Sequence, residues 1–231
     1  ARNVDVMNTP GANANAVAEE VIALMLADAR HVIPADADTR AGGWEKKAFM
    51  GREITGKTVG IVGFGAIGQL VAKRLSGFDV KILAFDPFLS EERARDLKAE
   101  SAELTEIFEK CDYVSLHMPE NEETRGIINK SLLARMKNGA TLINCARAGI
   151  INEADLRALK ADKKLRYLND VYPKDEAGPK TIADIADIMV PHLGANTVEA
   201  NYNAALRSAT QLIGYDDKGI ASFVVNRDVP E

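Results

Sequence analysis

The sequence predicts an α/β fold, a doubly wound parallel sheet with helices on both faces. Three observations carry this. From Thr58 onward, short apolar runs alternate with helix-like segments. A glycine-rich turn joins the first such run to the helix after it. Polar residues recur just past the later runs, at the sheet edge where such folds bind ligands.

Taken in order, 4–7 is a short strand-like run, and Thr9-Pro10-Gly11 turns it into a helix over 13–29. Val17, Val21, Leu24 and Met25 recur there at helical spacing, with Ile22 and Leu26 widening the stripe. Pro34 restarts or kinks the chain. Residues 41–56 read as a loop around Gly42-Gly43-Trp44, Gly51 and Gly56. Strands are expected at 58–62, 80–85, 113–117, 141–144, 165–170 and 188–190. Helices are expected at 66–76, 91–98, 104–110 and 131–136. Asn152 with Asp155 resembles a capping box and opens a helix to about Ala161. Asn196 with Glu199 opens a longer one to about Ile213.

Composition narrows the function. Of 231 residues, 46% are hydrophobic and 27% charged, a normal share for a soluble chain with a sizeable core. A net charge of -5 gives no electrostatic case for nucleic acid or an anionic membrane as partner. The two cysteines, Cys111 and Cys145, are far apart, which excludes a disulfide framework or a zinc knuckle and suits a reducing, cytoplasmic setting. No metal site is expected. No run is long and apolar enough to span a bilayer, and the opening residues lack a secretory layout.

The glycine-rich turn is Gly63-Phe64-Gly65-Ala66-Ile67-Gly68, between a strand and a helix. The first glycine allows the tight turn, the second lets a pyrophosphate approach the backbone, and the third lets helix pack on sheet. The N–H groups that open the helix, at Ala66 and Ile67 among others, suit phosphate binding. An acid, Asp86, ends the next strand at the spacing a ribose-binding carboxylate needs. It would repel a 2′-phosphate, and Pro87-Phe88-Leu89 supplies no cation, so NAD is favoured over NADP. The motif and its setting make the sheet Rossmann-like.

Three segments follow strands: Asn144-Cys145-Ala146-Arg147, the acid-rich run from Asp170 to Glu176, and Pro191-His192-Leu193-Gly194-Ala195. An arginine, a carboxylate and a histidine should therefore converge near the nicotinamide. Arginine suits two-point binding of a carboxylate. Imidazole, with an ordinary pKa of ~6.5, suits proton exchange near neutrality.

With these strings, Asn8-Thr9-Pro10-Gly11 and Ser115-Leu116-His117-Met118-Pro119, the chain resembles the D-2-hydroxyacid dehydrogenase family over nearly its full length, closest to the phosphoglycerate dehydrogenases. The resemblance implies that Arg147 holds the substrate carboxylate and that His192 exchanges the hydroxyl proton. Asp170 would contact the nicotinamide carboxamide, and His117, Met118, Pro119 and Thr124 the adenosine side. Cys145 and Ala146 would lie beside the cofactor, Cys145 as a small apolar neighbour, with Gly194 and Ala195 nearby. The carboxylate partner of His192 falls on Asp175 counting from Asp170 and on Glu176 counting from Arg147; residue type favours Glu176.

The resemblance also implies a second, substrate-binding domain that these residues lack. On that reading 1–12 is a hinge remnant, 13–215 the NAD-binding domain and 216–231 a return segment. The expected reaction is oxidation of 3-phosphoglycerate to 3-phosphohydroxypyruvate, the serine-biosynthesis step, with weak or no turnover by this chain alone. A dehydrogenase for glycerate, lactate or formate, or a non-catalytic NAD-binding interaction module, are the alternatives. Homodimerisation is expected through the helix from Asn13 and the loop around Trp44, where Trp44 is either core or an interface anchor.

Overall fold

The computed structural model describes residues 4–226. Its seven strands are β1 (Thr58–Val62), β2 (Lys81–Phe85), β3 (Glu100–Ser101), β4 (Tyr113–Leu116), β5 (Thr141–Asn144), β6 (Arg166–Asn169) and β7 (Ile188–Met189). They form one parallel sheet in the order β3-β2-β1-β4-β5-β6-β7. The chain winds outward from β1 in one direction and then from β4 in the other. The strand order therefore reverses between β1 and β4, and the crevice at their carboxyl ends is where such sheets bind ligands.

Both faces are apolar, because side chains alternate along each strand and helices cover both sides. Val59, Ile61, Ile82, Ala84, Ile143 and Leu168 face α1 (Ala14–Ala29) and α3 (Ala66–Leu75), in one core with Val21, Met25, Val71 and Leu75. Val62, Leu83, Val114, Leu116, Leu142 and Tyr167 face the other way. There they pack on α5 (Leu104–Lys110), α6 (Lys130–Leu133) and α7 (Glu153–Lys163), through Phe108, Leu133 and Leu156.

Several boundaries differ from the expectation, for local reasons. His31 enters the left-handed region at φ 53° and ends α1, and a second helix, α2 (Val32–Arg40), restarts with Pro34 in its first turn. Ser90 caps α4 (Glu91–Asp96), which stops two residues before the expected end. Asn152 caps α7 as expected. For α8 (Val198–Lys218) the cap is Thr197, whose hydroxyl accepts the Ala200 N–H at 3.0 Å, and not Asn196. The helix runs on to a left-handed Gly219, so it crosses the expected end of the cofactor domain at 215. Residues 4–7 form no strand: a single antiparallel bridge, Met7 to Val224, ties the incoming segment to the outgoing one. Asn8 N–H to Phe223 O (3.2 Å) and Val225 N–H to Val6 O (2.8 Å) complete this tie. Residues 1–3 and 227–231 of the two end segments lie outside the described residues.

At the sheet edge opposite the site, the fully buried Asp28 of α1 pairs with Arg52 at 3.3 Å and with Arg166 at the start of β6. Thr141 and Asp187 extend the network. Removing the acid leaves Arg166 with Asp187 as its one carboxylate and Arg52 with uncharged acceptors alone. Asp28→Asn is expected to lower unfolding free energy by about 3 kcal/mol, read by urea denaturation. A change under about 0.5 kcal/mol, the size of an ordinary surface substitution, would contradict this.

Candidate active site

The cofactor turn is built by contacts a side chain would break. Gly63 has φ 93°, and a Cβ there would lie 2.7 Å from the His117 carbonyl carbon, so the turn presses against the end of β4. At Gly68 a Cβ would lie 2.2 Å from Gly63 O, so the helix start packs directly on the turn. Gly65 differs: a Cβ there would meet nothing within 4 Å. It caps α3 with no side-chain hydrogen bond, which leaves the first N–H groups, at Ala66 and Ile67, without a capping side chain beside that open position. Asp86, at the end of β2, accepts the Phe64 N–H and the Phe88 N–H, each at 2.9 Å. An open cradle at a helix N-terminus beside an acid that ends the neighbouring strand fits the pyrophosphate and ribose of NAD.

On the other side of the crevice, His117 Nε2 lies 2.8 Å from Ser115 Oγ. Burial pushes its pKa down to about 4, so the ring is neutral. Its Nδ1 is buried with no hydrogen-bond partner, which fits a packing role at the strand end. Met118 packs against the core, and Pro119 is exposed. The Thr124 hydroxyl is spent within its own loop, donating to Pro119 O at 2.6 Å and accepting the Asn121 N–H at 2.9 Å.

Two buried asparagines shape the turns that present the chemistry. Asn144 ends β5, accepts the Ala146 N–H at 3.1 Å and donates to Arg147 O at 2.9 Å. Asn169 ends β6, donates to Val171 O at 2.8 Å and accepts the Tyr167 hydroxyl at 2.7 Å. Cys145 and Ala146 are buried between them, and burial with nearby carboxylates holds the Cys145 thiol well above its ordinary pKa. Arg147 is exposed and lines a cavity of about 610 Å³ with Glu120, Tyr172, Glu176 and Lys180. A second cavity, of about 470 Å³, shares Tyr172, Glu176 and Lys180 and reaches Asp175 and Pro191.

Asp170 is buried, and its two oxygens accept the Leu193 N–H (2.6 Å) and the Gly194 N–H (3.0 Å). This pins the residues after β6 to the turn that carries His192. His192 itself sits in the left-handed region at φ 56°, a conformation a non-glycine residue keeps only when its surroundings hold it there. Its Nδ1 lies 2.6 Å from Asp175 Oδ2. The acid against the histidine in this structure is thus Asp175, where residue type alone favoured Glu176. The Asp170 clamp makes the count from Asp170 govern the register, over the count from Arg147. Glu176 instead lines the cavities, with its carbonyl accepting from Lys180. Ala195 lies half-buried in the turn after Gly194. Trp44 is 74% exposed, so the core alternative for it falls.

Sequence reasoning named Asn144 only as part of a string, without a role, and passed over Asn169 and Glu20. Asparagine is disfavoured in strands, so one ending each of two neighbouring strands was a usable signal. So was an acid, Glu20, next to Val21 on an apolar helix.

The fold and this crevice define a dinucleotide-binding domain of the nicotinamide type. A model of the family described as D-isomer specific 2-hydroxyacid dehydrogenase, NAD binding domain, matches residues 22–194. The chain belongs to that family. It is 39% identical over 215 residues to a D-3-phosphoglycerate dehydrogenase of Archaeoglobus fulgidus, covering 92% of this chain and 41% of that protein. It is 43% identical over 204 residues to a hydroxypyruvate reductase of Thermotoga maritima, covering 86% and 66%. Among solved structures, an NAD-dependent formate dehydrogenase from Staphylococcus aureus in complex with NAD superposes with a TM-score of 0.82 at 28% identity, covering 93% of this chain and 66% of that one. The chain thus spans 41% of the length of the archaeal phosphoglycerate dehydrogenase it matches. Among the described residues no helix is long and apolar enough to cross a membrane.

Proposed function

We propose that this chain is the cofactor half of an enzyme that interconverts a D-2-hydroxyacid and its 2-oxoacid with NAD, with 3-phosphoglycerate as the substrate and serine biosynthesis as the setting. The observation that carries the reaction is the His192–Asp175 pair, held on the turn that Asp170 clamps. The choice of substrate leans on the phosphoglycerate dehydrogenases among the relatives; glycerate, lactate and formate are the alternatives.

In this reading Gly63, Gly65, Ala66, Ile67 and Gly68 receive the pyrophosphate and Asp86 the adenosine ribose. Asp170 accepts from the carboxamide. When bound, the nicotinamide ring supplies the hydride acceptor. Arg147 binds the substrate carboxylate with its planar fork. Asp175 takes the Nδ1–H of His192 and so leaves Nε2 to accept the hydroxyl proton during oxidation and return it during reduction. Arg147 and His192 both face solvent in these residues, so turnover by the chain alone is expected to be weak, since water is not excluded from the reacting atoms. The exposed apolar side chains of Val32, Ile33, Trp44 and Met50 suit a second copy of the chain as partner. The two free, buried cysteines suit the cytoplasm.

Calorimetry tests the cofactor assignment. NADH is expected to bind at least about tenfold more tightly than NADPH, because Asp86 faces the 2′ position. In Asp86→Ala the gap should close. Preference for NADPH in the unaltered chain would overturn the assignment.

A further inference from the structure

One carboxyl group near the crevice has no part in the hydride or proton transfer. Glu20 lies on α1 beside the buried Val17, Val21 and Leu24, and its Oε2 is buried without a hydrogen-bond donor. It reaches the carboxyl ends of β5 and β6, where its carboxylate, the Cys145 thiol and the Asp170 carboxylate lie within 4.8 Å of one another. A Cβ built on Gly194 would stand 3.0 Å from Glu20 Oε2 and 3.1 Å from Asp170 Oδ2, so both oxygens flank one point on the turn that follows His192.

Two carboxylates this close, with no basic side chain of the described residues between them, do not both ionise. Cys145 offers no compensating charge. The neighbouring basic group, Arg74 of α3, is committed to Glu19 at 3.1 Å and to Asn15. Asp170 already accepts two backbone N–H groups, so it can only accept again. The donor in the pair must be Glu20. Burial, and then Asp170, push the Glu20 pKa up to about 8, which keeps its proton in place at neutral pH.

The geometry points to Glu20 as a positioning residue: a neutral acid that donates to Asp170 and holds it as a singly charged acceptor for the nicotinamide carboxamide. This rests on the reading that Asp170 meets the carboxamide. It has a consequence that packing alone would not produce. Ionising Glu20 sets a second negative charge beside the nicotinamide, which favours the cationic oxidised ring over the neutral reduced one. The groups facing Glu20 are Asp170, just past β6, and Cys145, just past β5, with His192, paired to Asp175, two residues along the turn from Gly194.

The test is calorimetry on the full chain with NADH, NAD and ADP-ribose, from pH 6.5 to 9, for wild type, Glu20→Gln, Glu20→Ala and Asp170→Asn. At pH 7 Glu20→Gln, whose amide still donates, should bind NADH within about twofold of wild type, and Glu20→Ala about tenfold more weakly. ADP-ribose, which lacks the nicotinamide, should bind wild type and both Glu20 variants alike. Between pH 7 and 9 the wild-type preference for NADH over NAD should fall by about tenfold, the size of one pKa unit, while that of Glu20→Gln stays flat. The comparison removes any share from His192, which both proteins carry. Equal losses of NADH affinity in Glu20→Gln and Glu20→Ala, a wild-type pH profile in Glu20→Gln, or a parallel loss of ADP-ribose would overturn the proposal. If Glu20→Ala does not fold, the Gln pH profile decides alone. Asp170→Asn binding NADH as tightly as wild type would instead remove the carboxamide reading beneath it.

Discussion

In the proposed dehydrogenase, replacing His192 by Gln should lower kcat by about 10²–10⁴-fold, the usual contribution of a positioned proton carrier, and leave NADH affinity within about twofold. Glutamine keeps the size and polarity but cannot take up a proton. The loss should fall on kcat and kcat/KM together, since proton transfer develops only in the transition state. Because Asp175 holds Nδ1 at 2.6 Å, Asp175→Asn should shift the pH–rate profile and cost at least about tenfold in kcat. Glu176→Gln, whose side chain belongs to the cavity lining, should leave the profile in place. Steady-state kinetics from pH 5 to 9 separates these outcomes. A shift produced by Glu176→Gln and not by Asp175→Asn would show that the pair rearranges when substrate binds.

Gly68→Ala is the second change with a large expected effect, and Gly65→Ala is its control. The added methyl at position 68 would lie 2.2 Å from Gly63 O, 3.1 Å from an Ile61 methyl and 3.2 Å from the Gly63 carbonyl carbon. Two of these are backbone atoms in a close-packed turn, so the helix start must move away. A stability loss of about 2 kcal/mol is expected, with NADH affinity down by about 10²-fold as the phosphate-facing N–H groups are displaced. At position 65 the methyl meets nothing, so Gly65→Ala should keep the melting temperature of the parent and lose only affinity. Thermal melts with and without NADH read both effects. A Gly68→Ala protein with parental melting temperature and affinity would refute the packing account.

The parts of this fold that the sequence spelled out are those where periodicity and turn chemistry agree. The runs at Thr58–Val62, Leu104–Lys110 and Thr141–Asn144 are found where the pattern placed them. Each is bounded by a sharp signal and buries its apolar residues. The helix over Val32–Arg40 buries none of its residues, so no apolar stripe announced it. The strand Glu100–Ser101 is two exposed residues on the sheet edge, too short for alternation to show. At the site, the residue types for proton exchange and for carboxylate binding were legible, because each follows a strand. Which of Asp175 and Glu176 faces His192 was not. Two amide hydrogen bonds to Asp170 set it, and such long-range bonds leave no trace in local pattern. Glu20 escaped for the same reason, since its neighbour Asp170 is remote in sequence and only the fold brings the two together.

The Asp86 carboxylate fastens the cofactor turn to the end of β2: one oxygen holds Phe64 N–H and the other Phe88 N–H. The loop that should meet the dinucleotide has therefore given up its conformational freedom at folding, and little remains to be lost when the ligand arrives. Association at this turn should then be rigid docking. Affinity there should follow the fit of the phosphates and ribose, with hardly any dependence on how readily the loop orders.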